Sequence, residues 1–219
     1  MLSQNCIDTS IPFVRLSDEV GFVLNMMQEF KTDKLAVVDK EQLLGVIDEN
    51  ILMEYDELTT IAPLQASLLP YKIYEGLHLF DVLKATKEHT TFFLPVVHSD
   101  SQYLGITSPQ KILNAMIQHS PLTSSGGIIV LELETRNYSL AEIAKIVESN
   151  NAVILSSMIT TTENQHLIQV SLKINKNDLK DIQASFERYQ YTVTSVFHQS
   201  EYEHQLQERF DSLMRYLEV

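Results

Sequence analysis

Two stretches of the chain carry the same order of apolar and polar positions. The first runs Leu35-Ala-Val-Val-Asp39, a polar turn, then Leu44-Gly-Val-Ile47. The second runs Leu94-Pro-Val-Val97, a polar turn, then Leu104-Gly-Ile-Thr-Ser108. Their glycines, Gly45 and Gly105, stand 60 residues apart (105 − 45). Short apolar runs bounded by polar turns predict paired strands. A fixed period of this length marks an internal repeat that governs the fold. Ahead of the first pair, Ile11–Arg15 is a short apolar entry. Ser17 or Asp18 then caps a helix with Val20, Val23, Leu24 and Met27 on one face. After the pair, Asp48 stands at the N-cap of a short helix predicted through about Tyr55. Residues 56–70, with two prolines, connect to the second copy. That copy has an entry strand at Tyr71–Tyr74 and a helix around His78–Thr86 with Leu79, Val82 and Leu83 on one face. Its strands are Thr91–Val97 and Tyr103–Thr107. Ser108-Pro109 is a helix start, hydroxyl at N-cap and proline at the first helical position. This helix is expected to bury Ile112, Leu113, Met116 and Ile117.

Pro121 to Gly127 is the clearest linker. Beyond it the order becomes strand, helix, strand, strand, helix, strand, the ferredoxin-like pattern. The strands are predicted at Ile128–Glu134, Val153–Thr161, His166–Ile174 and Tyr191–Phe197. Ser139-Leu-Ala-Glu142 is a capping box opening a helix with Leu140, Ile143, Ala144 and Val147 inward. Asn177 is expected to cap a second helix carrying Leu179, Ile182, Phe186 and Tyr189. Glu132 and Glu134 alternate with leucines, as on a half-exposed strand. The tail from Glu201 reads as one more helix, with Tyr202, Leu206, Phe210, Leu213 and Leu217 on a narrow seam.

The 219 residues, 44% apolar and 21% charged, are ordinary for a globular chain of one large or two small domains. The net charge of −13 changes the picture. It argues against nucleic acid and against an anionic membrane surface, since both need clustered Lys and Arg. Cys6 is the single cysteine and cannot form an internal disulfide. No apolar run approaches the roughly 20 residues that span a bilayer, and the N-terminus lacks a signal-peptide pattern. The expectation is a cytoplasmic protein. The seven histidines never fall at metal-ligand spacing, and there is no phosphate-binding or dinucleotide glycine loop. No catalytic residue and no metal site is expected.

The two copies across Ile11 to His119, with Leu35-Ala-Val-Val-Asp39, Leu44-Gly-Val-Ile47, Leu94-Pro-Val-Val97 and Leu104-Gly-Ile-Thr-Ser108, resemble a CBS domain pair. Ile128 to Phe197 resembles an ACT domain, with Leu140-Ala-Glu-Ile-Ala144 matching that family's first helix. The joint arrangement resembles bacterial regulatory proteins of the acetoin-utilisation B type. The resemblance implies an α/β (α+β) chain. It would hold βαββα repeats at about 1–58 and 69–120, a linker at 121–127, a ferredoxin-like ACT-like domain at 128–198 and a C-terminal helix at 199–219. It implies a non-enzymatic regulatory protein without a cofactor, a homodimer acting on a regulated protein partner. Its small-molecule effector would be AMP, ADP or S-adenosylmethionine in a CBS cleft, or an amino acid at the ACT-like loop.

In the CBS adenosine motif a Thr or Ser hydroxyl contacts phosphate or ribose, and an Asp three residues on accepts from the ribose hydroxyls. Asp48 and Ile51 hold these places in the first repeat, Ser108 and Lys111 in the second. The cleft candidates are therefore Asp48 in the first repeat and Thr91, Phe93, Pro95, Thr107, Ser108 and Lys111 in the second, with Phe93 placed to stack on a base. The nearby cations are Arg15, Lys34, Lys72 and Lys111. The ACT-like candidates are Arg136, Asn137, Tyr138 and Ser139, with Tyr138 where the family carries glycine. The same departures support an alternative, an interaction module that binds no ligand.

Overall fold

The computed structural model describes residues 1–118, 120–163, 166–198 and 214. The expected C-terminal helix and its seam lie outside the described residues. The chain divides into two compact units, Met1–His119 and Ser120–Val219.

The first unit holds β1 (Ile7–Asp8), α1 (Val20–Phe30), β2 (Lys34–Asp39), β3 (Gln42–Asp48), α2 (Glu49–Leu52), β4 (Ile73–Tyr74), α3 (Leu79–His89), β5 (Pro95–Val97), β6 (Tyr103–Thr107) and α4 (Pro109–Gln118). The two predicted strand pairs are antiparallel hairpins, β2–β3 and β5–β6. Both slip register at the same place, after Val37 and after Val96. Lys40 and Glu41 turn the first hairpin with φ of 45° and 68°, the left-handed pair that a two-residue turn requires. β4 runs parallel to β5, and Val14 makes the matching single bridge to Val37. The helix after β3 ends at Leu52 rather than near Tyr55.

The sequence pattern did not show what closes each hairpin's outer side. β1, from the extreme N-terminus, pairs with β6, Ile7 opposite Thr107 and Asp8 opposite Ile106. In the first repeat the connecting segment takes that place. Val46 and Leu69 exchange both backbone hydrogen bonds, at 2.9 and 2.8 Å. The N-terminal residues thus complete the second repeat, and the connection completes the first. This crossing explains the two glycines. A Cβ on Gly105 would stand 2.4 Å from Ile7 Cγ2, and one on Gly45 would stand 2.9 Å from Leu68 Cβ. Glycine marks the close approach of another segment to a strand.

Each repeat builds its own core. Val20, Val23 and Met27 of α1 pack with Leu35, Val37 and Ile47, and Ile106 of β6 joins them. Cys6, Leu79, Val82, Leu94, Val96 and Ile112 form the second. Leu113 and Ile117, expected inside, are 52% and 39% exposed. α4 lays only the narrow stripe of Ile112 and Ala115, with Met116 beside it, on its sheet.

The second unit holds β7 (Gly127–Glu134), α5 (Leu140–Ser149), β8 (Ile154–Thr161), β9 (Leu167–Ile174), α6 (Lys180–Arg188) and β10 (Thr192–Phe197). Its sheet is antiparallel in the order β10-β7-β9-β8, the ferredoxin-like arrangement. Ile143, Ile146 and Val147 of α5 and Ile182 and Phe186 of α6 pack on one face. Leu140 and Tyr189, expected inward, are 45% and 56% exposed, because each stands at a helix end past the edge of the core. The carboxylate of Asp178, rather than Asn177, accepts the first α6 amide, from Lys180 at 3.1 Å.

Candidate functional site

In the second repeat β6 runs into α4 at Ser108, which is buried. The Ser108 hydroxyl donates to Asp8 Oδ2 at 2.7 Å and accepts the Lys111 amide at 3.3 Å. Asp8 also accepts from the Ser10 amide and hydroxyl at 3.1 and 2.6 Å. Burial alone would raise the Asp8 pKa. The hydrogen bonds from Ser10 and Ser108 and the charge of Lys111 outweigh it and hold the carboxyl below its ordinary value. Thr107 Oγ1 accepts from the Leu94 amide at 3.0 Å and donates to the Phe92 carbonyl at 2.5 Å. Thr91 Oγ1 accepts from the Phe93 amide, and Pro95 is a buried strand residue opposite Ile106. The two threonines stitch neighbouring backbone together. Phe93 is half-buried against the first repeat's core. Only Ser108 and Lys111 of the expected group converge, and they converge on Asp8.

The first repeat ends its hairpin differently. Asp48 accepts the Asn50 amide at 2.9 Å, capping α2, and pairs with Lys34 Nζ at 2.9 Å. Lys34 is buried and also pairs with Asp33. Burial would lower the Lys34 pKa, but its bonds to Asp33 and Asp48 carry it above the ordinary value. Burial would likewise raise Asp48, and Lys34 and Asn50 bring it below. Lys34 and Phe93 are counterparts, each directly before the leucine of a Leu-x-Val-Val run. Tyr71 stacks on His89 with ring centroids 4.7 Å apart. Its hydroxyl is buried without a hydrogen-bond partner among the described residues. Burial, then the charges of Asp33 and Asp48, push its pKa up.

A cavity of about 610 Å³ lies between the segment after β1, α1 and β6, lined by Asp8, Phe13, Arg15, Asp18, Phe22 and Tyr103 among others. That volume suits a small organic molecule. Phe13 and Tyr103 meet edge to face at 5.8 Å, and the Arg15 guanidinium stands 5.8 Å from the Phe13 ring centre. The Tyr103 hydroxyl is buried and unpartnered among the described residues. Burial pushes its pKa up, so it stays protonated. A buried hydroxyl without a partner calls for an explanation, and here it belongs to a cavity-lining residue. Sequence reasoning singled out Arg15 but missed Asp8, Phe13 and Tyr103. Phe13 and Tyr103 carry no motif, and Asp8 meets Ser108 only across 100 residues.

The second unit has its own cavity of about 610 Å³, lined by Glu132, Glu134, Asn137, Glu142, Tyr189 and Tyr191 among others. Of the loop candidates only Asn137 lines it. Arg136 is exposed and pairs with Glu134 at 2.5 Å. Tyr138 packs on the core. Ser139 accepts the Glu142 amide at 3.3 Å, capping α5. The Glu142 carboxylate takes the Tyr191 hydroxyl at 3.1 Å. Burial and this bond push the Tyr191 pKa up to about 12. Three carboxylates with no lysine or arginine in the lining oppose an anionic ligand.

Among the described residues no His, Cys, Asp and Glu group could hold a metal ion, and no helix is long and apolar enough to cross a membrane. A comparison with curated proteins finds no match. Several solved structures are similar. A CBS domain pair/ACT domain protein from Thermotoga maritima is 24% identical at a TM-score of 0.49, covering 54% of this chain and 98% of that one. The CBS domains of a transcriptional regulator from Streptococcus pneumoniae are 16% identical at 0.45, covering 52% and 98%. CBSX2 in complex with AMP is 22% identical at 0.42, covering 54% and 92%. Among family models, the one described as CBS domain matches residues 5–57.

Proposed function

We propose that the chain is a regulatory protein rather than an enzyme. It senses an adenosine compound in the cavity between β6 and the segment that follows β1, and passes binding on as a conformational change. It works as a homodimer on a protein partner, in an arrangement like that of acetoin-utilisation B-type regulators. The observation that carries this reading is the aromatic cavity itself. Phe13, Phe22 and Tyr103 line it and offer ring surface to a purine. A ligand can shift the protein only as far as its affinities for the two states differ. Thermal denaturation of the full chain with adenosine compounds at millimolar concentration tests the reading. A ligand at about 100 times its Kd adds about 2.7 kcal/mol of stability. The rise should vanish in Phe13→Ala.

A second reading, an interaction module without a ligand, is favoured by one observation. Asp48 and Ser108, where the family motif places its hydroxyl, are both engaged within the protein, with Lys34 and Asp8. A flat response to every adenosine compound from folded protein would select it.

A further inference from the structure

We infer that Asp8 makes the cavity selective for adenosine compounds without phosphate, those with a neutral or cationic group at the 5′ position. The inference rests on the adenosine reading above and narrows it.

The N-terminus of α4 is where an anionic ligand group would settle in this repeat. It is a helix of ten residues, and its first amides and N-cap hydroxyl together attract negative charge. The protein has filled that place. Asp8 Oδ2 takes the single Ser108 hydroxyl proton at 2.7 Å, and the Ser108 oxygen takes the Lys111 amide at 3.3 Å. Nothing on that hydroxyl is left to donate. Lys111, the nearby cation, already acts on the same carboxylate and helps keep it charged. Asp8 is fixed from its other side by both donors of Ser10, and β1 pins it opposite Ile106. It cannot turn away without breaking three hydrogen bonds. It also lines the cavity, so a phosphate arriving there meets a fixed carboxylate. The remaining charges of the lining are Asp18 and Arg15, which leave it net negative. A ribose hydroxyl or a sulfonium with an ammonium meets an acceptor instead. Aromatic rings beside carboxylates also suit a cation.

Isothermal titration of the full chain with adenosine, AMP and S-adenosylmethionine tests this. Adenosine and S-adenosylmethionine should bind at least about tenfold more tightly than AMP, a factor that one repulsive charge at close range readily supplies. Asp8→Asn keeps an acceptor for Ser108 and should shrink the gap between adenosine and AMP, and an unchanged circular-dichroism spectrum shows that the variant is folded. In the unaltered protein, raising salt should strengthen AMP binding and leave adenosine unchanged, because screening weakens repulsion. AMP binding as tightly as adenosine would overturn the selectivity and leave the adenosine reading standing. So would a difference that persists in Asp8→Asn. Absence of binding by all three overturns the adenosine reading, and the selectivity with it.

Discussion

The two repeats share a hairpin down to the register slip, yet they finish it with different chemistry. At the mouth of β2 stands Lys34; at the mouth of β5 stands Phe93. Where β3 meets its helix the chain supplies its own carboxylate, Asp48, neutralised by Lys34 at 2.9 Å. Where β6 meets α4 it supplies a hydroxyl, and the carboxylate is brought by Asp8 from the N-terminal strand. Both helix starts receive a negative group from within the protein. The first also receives a buried counter-charge from Lys34, whereas the carboxylate of the second, Asp8, lines a cavity. Duplicated backbone geometry therefore does not imply duplicated side-chain chemistry. One half closes its helix start with an ion pair, and the other closes it with a hydrogen bond from a hydroxyl to a carboxylate.

The comparison can be broken most forcefully at Lys34. Lys34→Ala leaves Asp33 and Asp48 facing each other without their cation and should cost about 3–5 kcal/mol. Phe93→Ala removes a half-buried ring and should cost about 1–2 kcal/mol. Urea unfolding of both variants checks the order. Equal losses would mean that the ion pair is no more structural than the ring. Next in size is Gly105→Ala, whose methyl meets Ile7 Cγ2 at 2.4 Å and should cost about 1–3 kcal/mol by forcing β1 off β6. Protection of the Ile7 and Asp8 amides from hydrogen exchange should fall with it.

Ser108→Ala removes a cap and a partner of Asp8, and should cost about 1 kcal/mol. The two repeats should also share an acid limb. Asp8 and Asp48 are both held below 3.8 in the folded chain. Their contribution is complete above that pH and is lost as pH falls through the lower folded values. The drop in urea midpoint below about pH 4 should be shallower in Asp8→Asn and in Asp48→Asn. The smallest effect belongs to Tyr103→Phe. Deleting an unpartnered buried hydroxyl should leave ligand-free stability unchanged or raise it by less than about 1 kcal/mol. A clear loss would show that the hydroxyl has a partner inside the protein.

Much of this was legible before any coordinates. The hairpins, α1, α3 and the order of the second unit follow from local periodicity, which a strand or helix must satisfy wherever it packs. Errors fell where burial is decided by a neighbour. Leu140 and Tyr189 sit at helical spacing but at helix ends past the core, and Leu113 and Ile117 lie outside the narrow stripe that α4 lays on its sheet. Of the cleft candidates, Ser108 and Lys111 reached a common centre, while Thr91 and Thr107 spend their hydroxyls on adjacent backbone.

The sequence by itself determined the period, the two hairpins with their glycines, the ferredoxin-like order and the acidic balance. Each is a property of neighbouring residues or of the sum over the chain. Only the tertiary structure decided what those glycines make room for, which repeat the N-terminal strand completes, and that Asp8 stands on Ser108. These depend on contacts such as Gly45 with Leu68, Gly105 with Ile7 and Asp8 with Ser108, between residues far beyond one helical turn or hairpin loop. No local pattern records such contacts, because each partner taken alone is an ordinary surface residue or strand residue.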